Sequence, residues 1–159
     1  MGRLLELYPA PSNTTPYSDK AGLLALFQSE VNFLGSTFAI ASAWKKHVFA
    51  YKFSVGYTIH AMDVPYTYYD GSTAEVKNAT MAIAFQKYLT RFAIYGDPNR
   101  KPHEKDTLPL FRRMDTGLNK TVFQIDDSSY EYVSDDYFMN ERTEFLAVSA
   151  FYLPSLYPI

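Results

Sequence analysis

One long amphipathic helix set between two short strands constrains this chain more than any other feature. Tyr51–Val55 alternates, with Tyr51, Phe53 and Val55 on one face and Lys52 and Ser54 on the other. That is the two-residue period of a half-buried strand. From about Thr73 to Tyr95, the residues Met81, Phe85, Tyr88, Leu89 and Phe92 recur at steps of three and four, so one helix face is buried. Ser72-x-x-Glu75 predicts a capping box at its start. Gly96 is placed for the left-handed residue that closes a helix, and Pro98 prevents continuation. Thr121–Ile125 reads as a second strand. A right-handed crossover through the helix sets the two strands parallel and side by side. The expected class is α/β, a few parallel strands flanked by helices.

The flanking segments read as helices and loops. Residues 1–19 hold a helix end (Arg3–Leu7) and a loop rich in Pro, Ser, Asn and Thr. Asp19 is the expected N-cap of a helix from about Lys20 to Ser29, with Leu23, Leu24, Phe27 and Val31 clustered. A helix near Thr37–Lys46 carries the only tryptophan, Trp44. Arg100–Thr107 is a charged loop. Ser134 is expected to cap a final helix, with Asp135 and Asp136 against its positive end, running to about Phe151 and stopping before Pro154. No repeat or linker divides the chain, so residues 1–159 read as one domain.

Composition excludes several classes. Apolar content of 47% with 20% charged residues describes a soluble globular chain rather than a disordered one. A formal charge of −2, with no basic stripe, gives no case for nucleic acid. No apolar run approaches the ~18 residues of a membrane span, and the start lacks the apolar core of a signal peptide. Aromatic residues reach 17%, with 14 Tyr and 12 Phe. So much large side chain in a short chain suits elements packed on a larger body.

The candidate chemistry lies just past the first strand. Gly56 follows it, then a loop histidine, His60, then Asp63 and an aromatic run, Tyr66–Tyr69. A histidine beyond a strand's carboxyl end is where open α/β sheets hold reactive groups. His47 and His103 stand beside lysines or in the charged loop and read as solvated. No histidine spacing suits zinc and no acidic loop suits calcium, so neither metal nor cofactor is expected. Asp126–Asp127 and Asp135–Asp136 read as turn and cap residues. Asp63 is expected to brace its loop or cap a helix, not to orient the imidazole. Two of the three tyrosines Tyr66, Tyr68 and Tyr69 are expected in the core. Ser36 and Ser54 sit in no glycine elbow and are not nucleophile candidates.

These motifs together resemble the type B carboxylesterases, the cholinesterase and fungal lipase family. His60, Asp63, Val64 and Tyr66 match the family's H-G-x-[DE]-[LIV]-x-[YF], with Ala61 in place of the usual glycine. YLTRFAIYGDPN (Tyr88–Asn99) resembles Y-W-x-x-F-A-x-x-G-x-P-N, and it is the most specific match. LLELYP (Leu4–Pro9) and LPLF (Leu108–Phe111) resemble two further family strings, so the likeness spans nearly all of residues 3–152. The resemblance also implies a loop at SEVNFLGSTF (Ser29–Phe38), with Asn32 where the family usually has aspartate.

The resemblance implies the C-terminal part of an α/β-hydrolase fold, with His60 as the catalytic histidine. It also exposes what is missing. The seven glycines include no pair four apart, so the G-x-S-x-G nucleophile elbow is absent, and so is a double-glycine oxyanion segment. Family members carry a disulfide; the matching positions read as Ser36 and Thr143, both cysteines replaced together in a chain without cysteine.

The leading expectation is a C-terminal portion of a carboxylic ester hydrolase, inactive alone. Its partners would be a carboxylic ester substrate in the complete enzyme and the missing N-terminal portion, with no nucleic acid and no membrane span. The alternatives are a non-catalytic esterase-like binding module and a fragment without independent function. Three N-x-[ST] sequons, at Asn13, Asn78 and Asn119, lean towards a secreted parent. The missing leader and cysteines lean the other way, which leaves the compartment open.

Overall fold

Strands β1 (Tyr51–Phe53) and β2 (Thr121–Ile125) pair in parallel, with Tyr51 opposite Phe123 and Phe53 opposite Ile125. This is the pairing that the crossover argument requires. The computed structural model describes residues 2–44, 48–56, 59–100, 107–114, 121–134 and 140–152. They cluster into two compact units, residues 46–134 and residues 1–45 with 135–159.

In the first unit the sheet gains a strand that the sequence reading lacks. β3 (Tyr130–Ser134) pairs antiparallel with β2, giving a mixed three-stranded sheet in the order β1-β2-β3. Helices and a small mixed sheet are compatible with an α/β fold; beside the expected parallel pair the sheet carries an antiparallel strand. The cause is a tight turn. Asp126 Oδ1 accepts the amides of Ser128 and Ser129 at 2.8 and 2.7 Å, folding the chain straight back. Those bonds also hold the Asp126 carboxyl below its usual range. Ser134 therefore ends a strand, and the described final helix begins at Glu141.

The helix between the strands, α5, spans Ala79–Tyr95. It begins later than the capping box predicts, because the Ser72 hydroxyl and amide both donate to Asp70 Oδ1, at 2.8 and 2.9 Å. Asn78 is the cap instead: its Oδ1 accepts from Met81 N at 3.1 Å, while its Nδ2 donates to the Asp127 carbonyl at 3.0 Å. The helix closes on Gly96 at φ +67°, as expected. Met81, Phe85 and Tyr88 are buried against Val55, Tyr66, Phe111, Phe123 and Ile125, whereas Phe92 is half exposed. Phe123 stacks on Phe111 and on Tyr130, with ring centroids 4.5 and 5.5 Å away. Asn99 holds the segment before β2 like a strand partner: it accepts from Phe111 N at 2.6 Å and donates to Phe111 O at 2.7 Å.

In the second unit, α1 (Gly2–Leu7) precedes α2 (Lys20–Ser29), which Asp19 caps through Gly22 N at 2.7 Å. No loop follows. A π-helical turn over Glu30–Leu34 runs directly into α3 (Gly35–Trp44). The two predicted helices and the predicted loop are one helix from Lys20 to Trp44, by length and composition long and apolar enough to cross a membrane. Glu30, in its π turn, is fully buried. Arg142 Nε donates to both carboxylate oxygens at 3.0 Å and its Nη2 to one at 2.9 Å, and the Tyr8 hydroxyl donates at 2.6 Å. A wider turn re-aims one side chain without ending the helix, and here it carries the carboxylate to its cation.

The final helix, α6 (Glu141–Tyr152), starts at Asn140, whose Oδ1 accepts from the amides of Arg142 and Thr143 at 2.9 and 3.1 Å. It packs on α3 closely at Gly35, where a β-carbon would stand 3.0 Å from Leu146 Cβ. Ser36 is exposed, and the buried Thr143 hydroxyl donates to Asn140 O at 3.0 Å.

Candidate active site

β1 carries its ladder one residue further, Ser54 N donating to Ile125 O at 2.7 Å, before Val55 buries and Gly56 turns the chain at φ +63°. The turn that follows holds His60, which is exposed. Met62 N donates to Ile59 O at 3.3 Å and Val64 N to Ala61 O at 3.1 Å. Between them Ala61 sits at φ +70°, the one non-glycine with positive φ among the described residues. This is the position where the resembling family has glycine. A β-carbon there costs about 1–2 kcal/mol, so the turn is held by something outside itself.

Two anchors do this, and both reach β1. The Tyr51 hydroxyl donates to Asp63 Oδ2 at 2.8 Å. Tyr66, buried, packs edge-on against Phe53 with centroids 5.1 Å apart. Successive same-face residues of one strand thus receive the acid and the aromatic of the His60-x-x-Asp63-x-x-Tyr66 spacing. A short helix, α4 (Val64–Thr67), lies between the anchors, and the Thr67 amide and hydroxyl donate to Asp63 O at 2.8 and 2.9 Å. Gln86 Nε2 on α5 donates to Thr67 O at 3.2 Å and Tyr69 O at 2.8 Å. Burial, reinforced by the hydrogen bond to Asp63, pushes the Tyr51 phenol well above its ordinary pKa, so it stays a donor.

Asp63 therefore braces the loop, as expected, through Tyr51 rather than as a side-chain cap. Tyr66 is in the core, Tyr69 packs against it, and Tyr68 is 76% exposed. His47, His103, Asp135, Asp136 and Asn119 lie outside the described residues. Sequence reasoning missed Tyr51 as the partner of Asp63, although both residues were in view. It missed Glu30 and Arg142 because they pair across 112 positions of sequence.

The chemical capacity of this arrangement is that of an accessible imidazole on a fixed turn. It can take and return a proton if a nucleophile is brought to it. Comparison with known proteins finds a likeness over part of the chain. Carboxylesterase patB of Aspergillus clavatus is 29% identical over 98 residues, which are 60% of this chain and 18% of that protein. The chain thus matches under a fifth of that relative's length. No family model matches, and no solved structure matches. The likeness is to a carboxylesterase, at that level and no finer.

Proposed function

We propose that this chain is the histidine-bearing C-terminal portion of a carboxylic ester hydrolase of the type B carboxylesterase kind, within a larger α/β-hydrolase sheet. The observation that carries the reading is His60, exposed on a turn fixed to β1 just beyond that strand's carboxyl end. Partial similarity to a carboxylesterase supports it. So does the sheet: β1 ends the strand order, and β2 is its partner strand among the described residues, so its other edge is available to further strands.

In the complete enzyme a serine on the missing part attacks the ester carbonyl. His60 accepts the serine proton and delivers it to the leaving alcohol. It then takes a proton from the attacking water and returns it to the serine oxygen as the acyl-enzyme is hydrolysed to the carboxylic acid. Backbone amides on the missing part hold the oxyanion, and an acid from another strand end orients the ring. No metal or cofactor takes part. Asp63 does not serve as that acid, since its carboxylate is committed to Tyr51.

The test is hydrolysis of short p-nitrophenyl esters by the purified chain. It should turn over no faster than a His60→Ala variant. His60-dependent turnover by this chain alone would overturn the division of labour.

A further inference from the structure

We propose that Tyr51 is a positioning residue for His60, acting through its hydrogen bond to Asp63; this rests on the reading of His60 as the proton carrier. Three observations converge. The Tyr51 hydroxyl and Asp63 Oδ2 are 2.8 Å apart, joining residues twelve positions apart in sequence. Asp63 closes the turn that begins at Ile59, so fixing its carboxylate fixes the end of the segment bearing the imidazole. That segment contains Ala61 at φ +70°, a backbone state that an alanine leaves when its surroundings allow.

The tyrosine itself is held independently of the turn. Its ring meets Phe85 of α5 edge-on, centroids 5.1 Å apart, and its backbone is opposite Phe123 in the parallel ladder. The hydroxyl is thus presented from a rigid strand, and removing it leaves the ring's packing in place. The Tyr66 anchor on Phe53 holds α4 and reaches the turn only through the Thr67 bonds to Asp63 O, whereas Tyr51 holds the Asp63 carboxylate directly. In the reaction, an imidazole displaced by about 1 Å from its nucleophile forfeits a large part of its rate. The role of Tyr51 is to keep the ring from wandering.

The experiment is 15N relaxation and amide exchange on the full chain, comparing Tyr51→Phe, Asp63→Ala and Asp63→Asn. In the wild type the His60 and Ala61 amides should be ordered, with order parameters of about 0.85. In Tyr51→Phe and Asp63→Ala they should fall below about 0.6, and Met62 and Val64 exchange should quicken about tenfold. Phe85 and Tyr88 on α5 should be unchanged. Asp63→Asn keeps an oxygen that accepts from Tyr51, and should restore the order. If the His60 turn stays ordered in Tyr51→Phe, the inference is overturned; the same holds if Asp63→Asn loosens it as much as Asp63→Ala. Neither readout needs ester hydrolysis, so these results leave the proposed function standing. A turn that loosens as described, in a complete enzyme indifferent to His60→Ala, would instead remove the proposed function alone.

Discussion

Replacing Arg142 by leucine should be the most damaging single change in the unit built from the two chain ends. Glu30 has 0% exposure, and Arg142 supplies three of its contacts, at 2.9 to 3.0 Å. What would remain is the Tyr8 hydroxyl at 2.6 Å and a long contact from Asn140 Nδ2 at 3.5 Å. Two neutral donors do not replace the cation for a buried carboxylate. Breaking one partner of a buried pair costs about 3–5 kcal/mol, against about 5–15 kcal/mol for a whole domain. The pair itself is a different matter. Replacing Glu30 and Arg142 together by methionine removes both desolvation costs and should cost far less than the single change. What then remains is the orphaned Tyr8 hydroxyl, about 1–3 kcal/mol, which Tyr8→Phe should recover. Urea unfolding followed by circular dichroism measures all three variants. A loss of less than about 1 kcal/mol in Arg142→Leu would refute the reasoning, since it would mean that water reaches Glu30.

Three further outcomes follow from the geometry. Ala61→Gly should stabilise the chain by about 0.5–1 kcal/mol, the left-handed penalty less the glycine entropy, read as a higher urea midpoint with unchanged slope. Gly35→Cys with Leu146→Cys should form a disulfide in air, detected as loss of free thiol. It would add at most about 5 kcal/mol, because it closes a very long loop and the 3.0 Å Cβ spacing is tighter than a relaxed bridge. Tyr130 is pushed by burial to about 12, and burial raises Tyr8, Tyr51 and Tyr88 further, so a 295 nm titration should leave these phenols protonated when exposed tyrosines ionise. The folded state holds these protons above the ordinary value of 10.0. Stability should therefore be full below about pH 10 and fall as pH rises through about 12.

How much was legible follows from the range of each interaction. The α5 face, the Gly96 stop and the Asp19 cap were readable because each rests on local periodicity or one short-range bond, and the parallel pairing of β1 with β2 because crossover handedness leaves it as the simple arrangement. The Ser72 box misled because Asp70, two residues away, competes for the same hydroxyl. β3 carries its own signal, the Tyr130-Glu131-Tyr132-Val133 alternation after an Asp-Asp-Ser-Ser turn, but the acids drew the reading towards a solvated turn and a cap. The π turn could not be read. Nothing near Glu30 reveals that its partner lies on α6, and the family pattern placed a loop where the helix continues. For the same reason the helix approach falls at Gly35 and Leu146, where no local signal marks it. At the candidate site the histidine turn was legible from residue order, whereas its anchoring on Tyr51 and Phe53 is tertiary.

The central claim is that His60 carries protons for a nucleophile supplied by another part of a larger esterase. The most direct measurement is steady-state hydrolysis of p-nitrophenyl butyrate by this chain joined to the reading frame that carries a G-x-S-x-G segment upstream of it, with and without His60→Ala. The account predicts turnover that His60→Ala lowers by at least about a thousandfold in kcat, with KM little changed. Equal turnover by both proteins would contradict it.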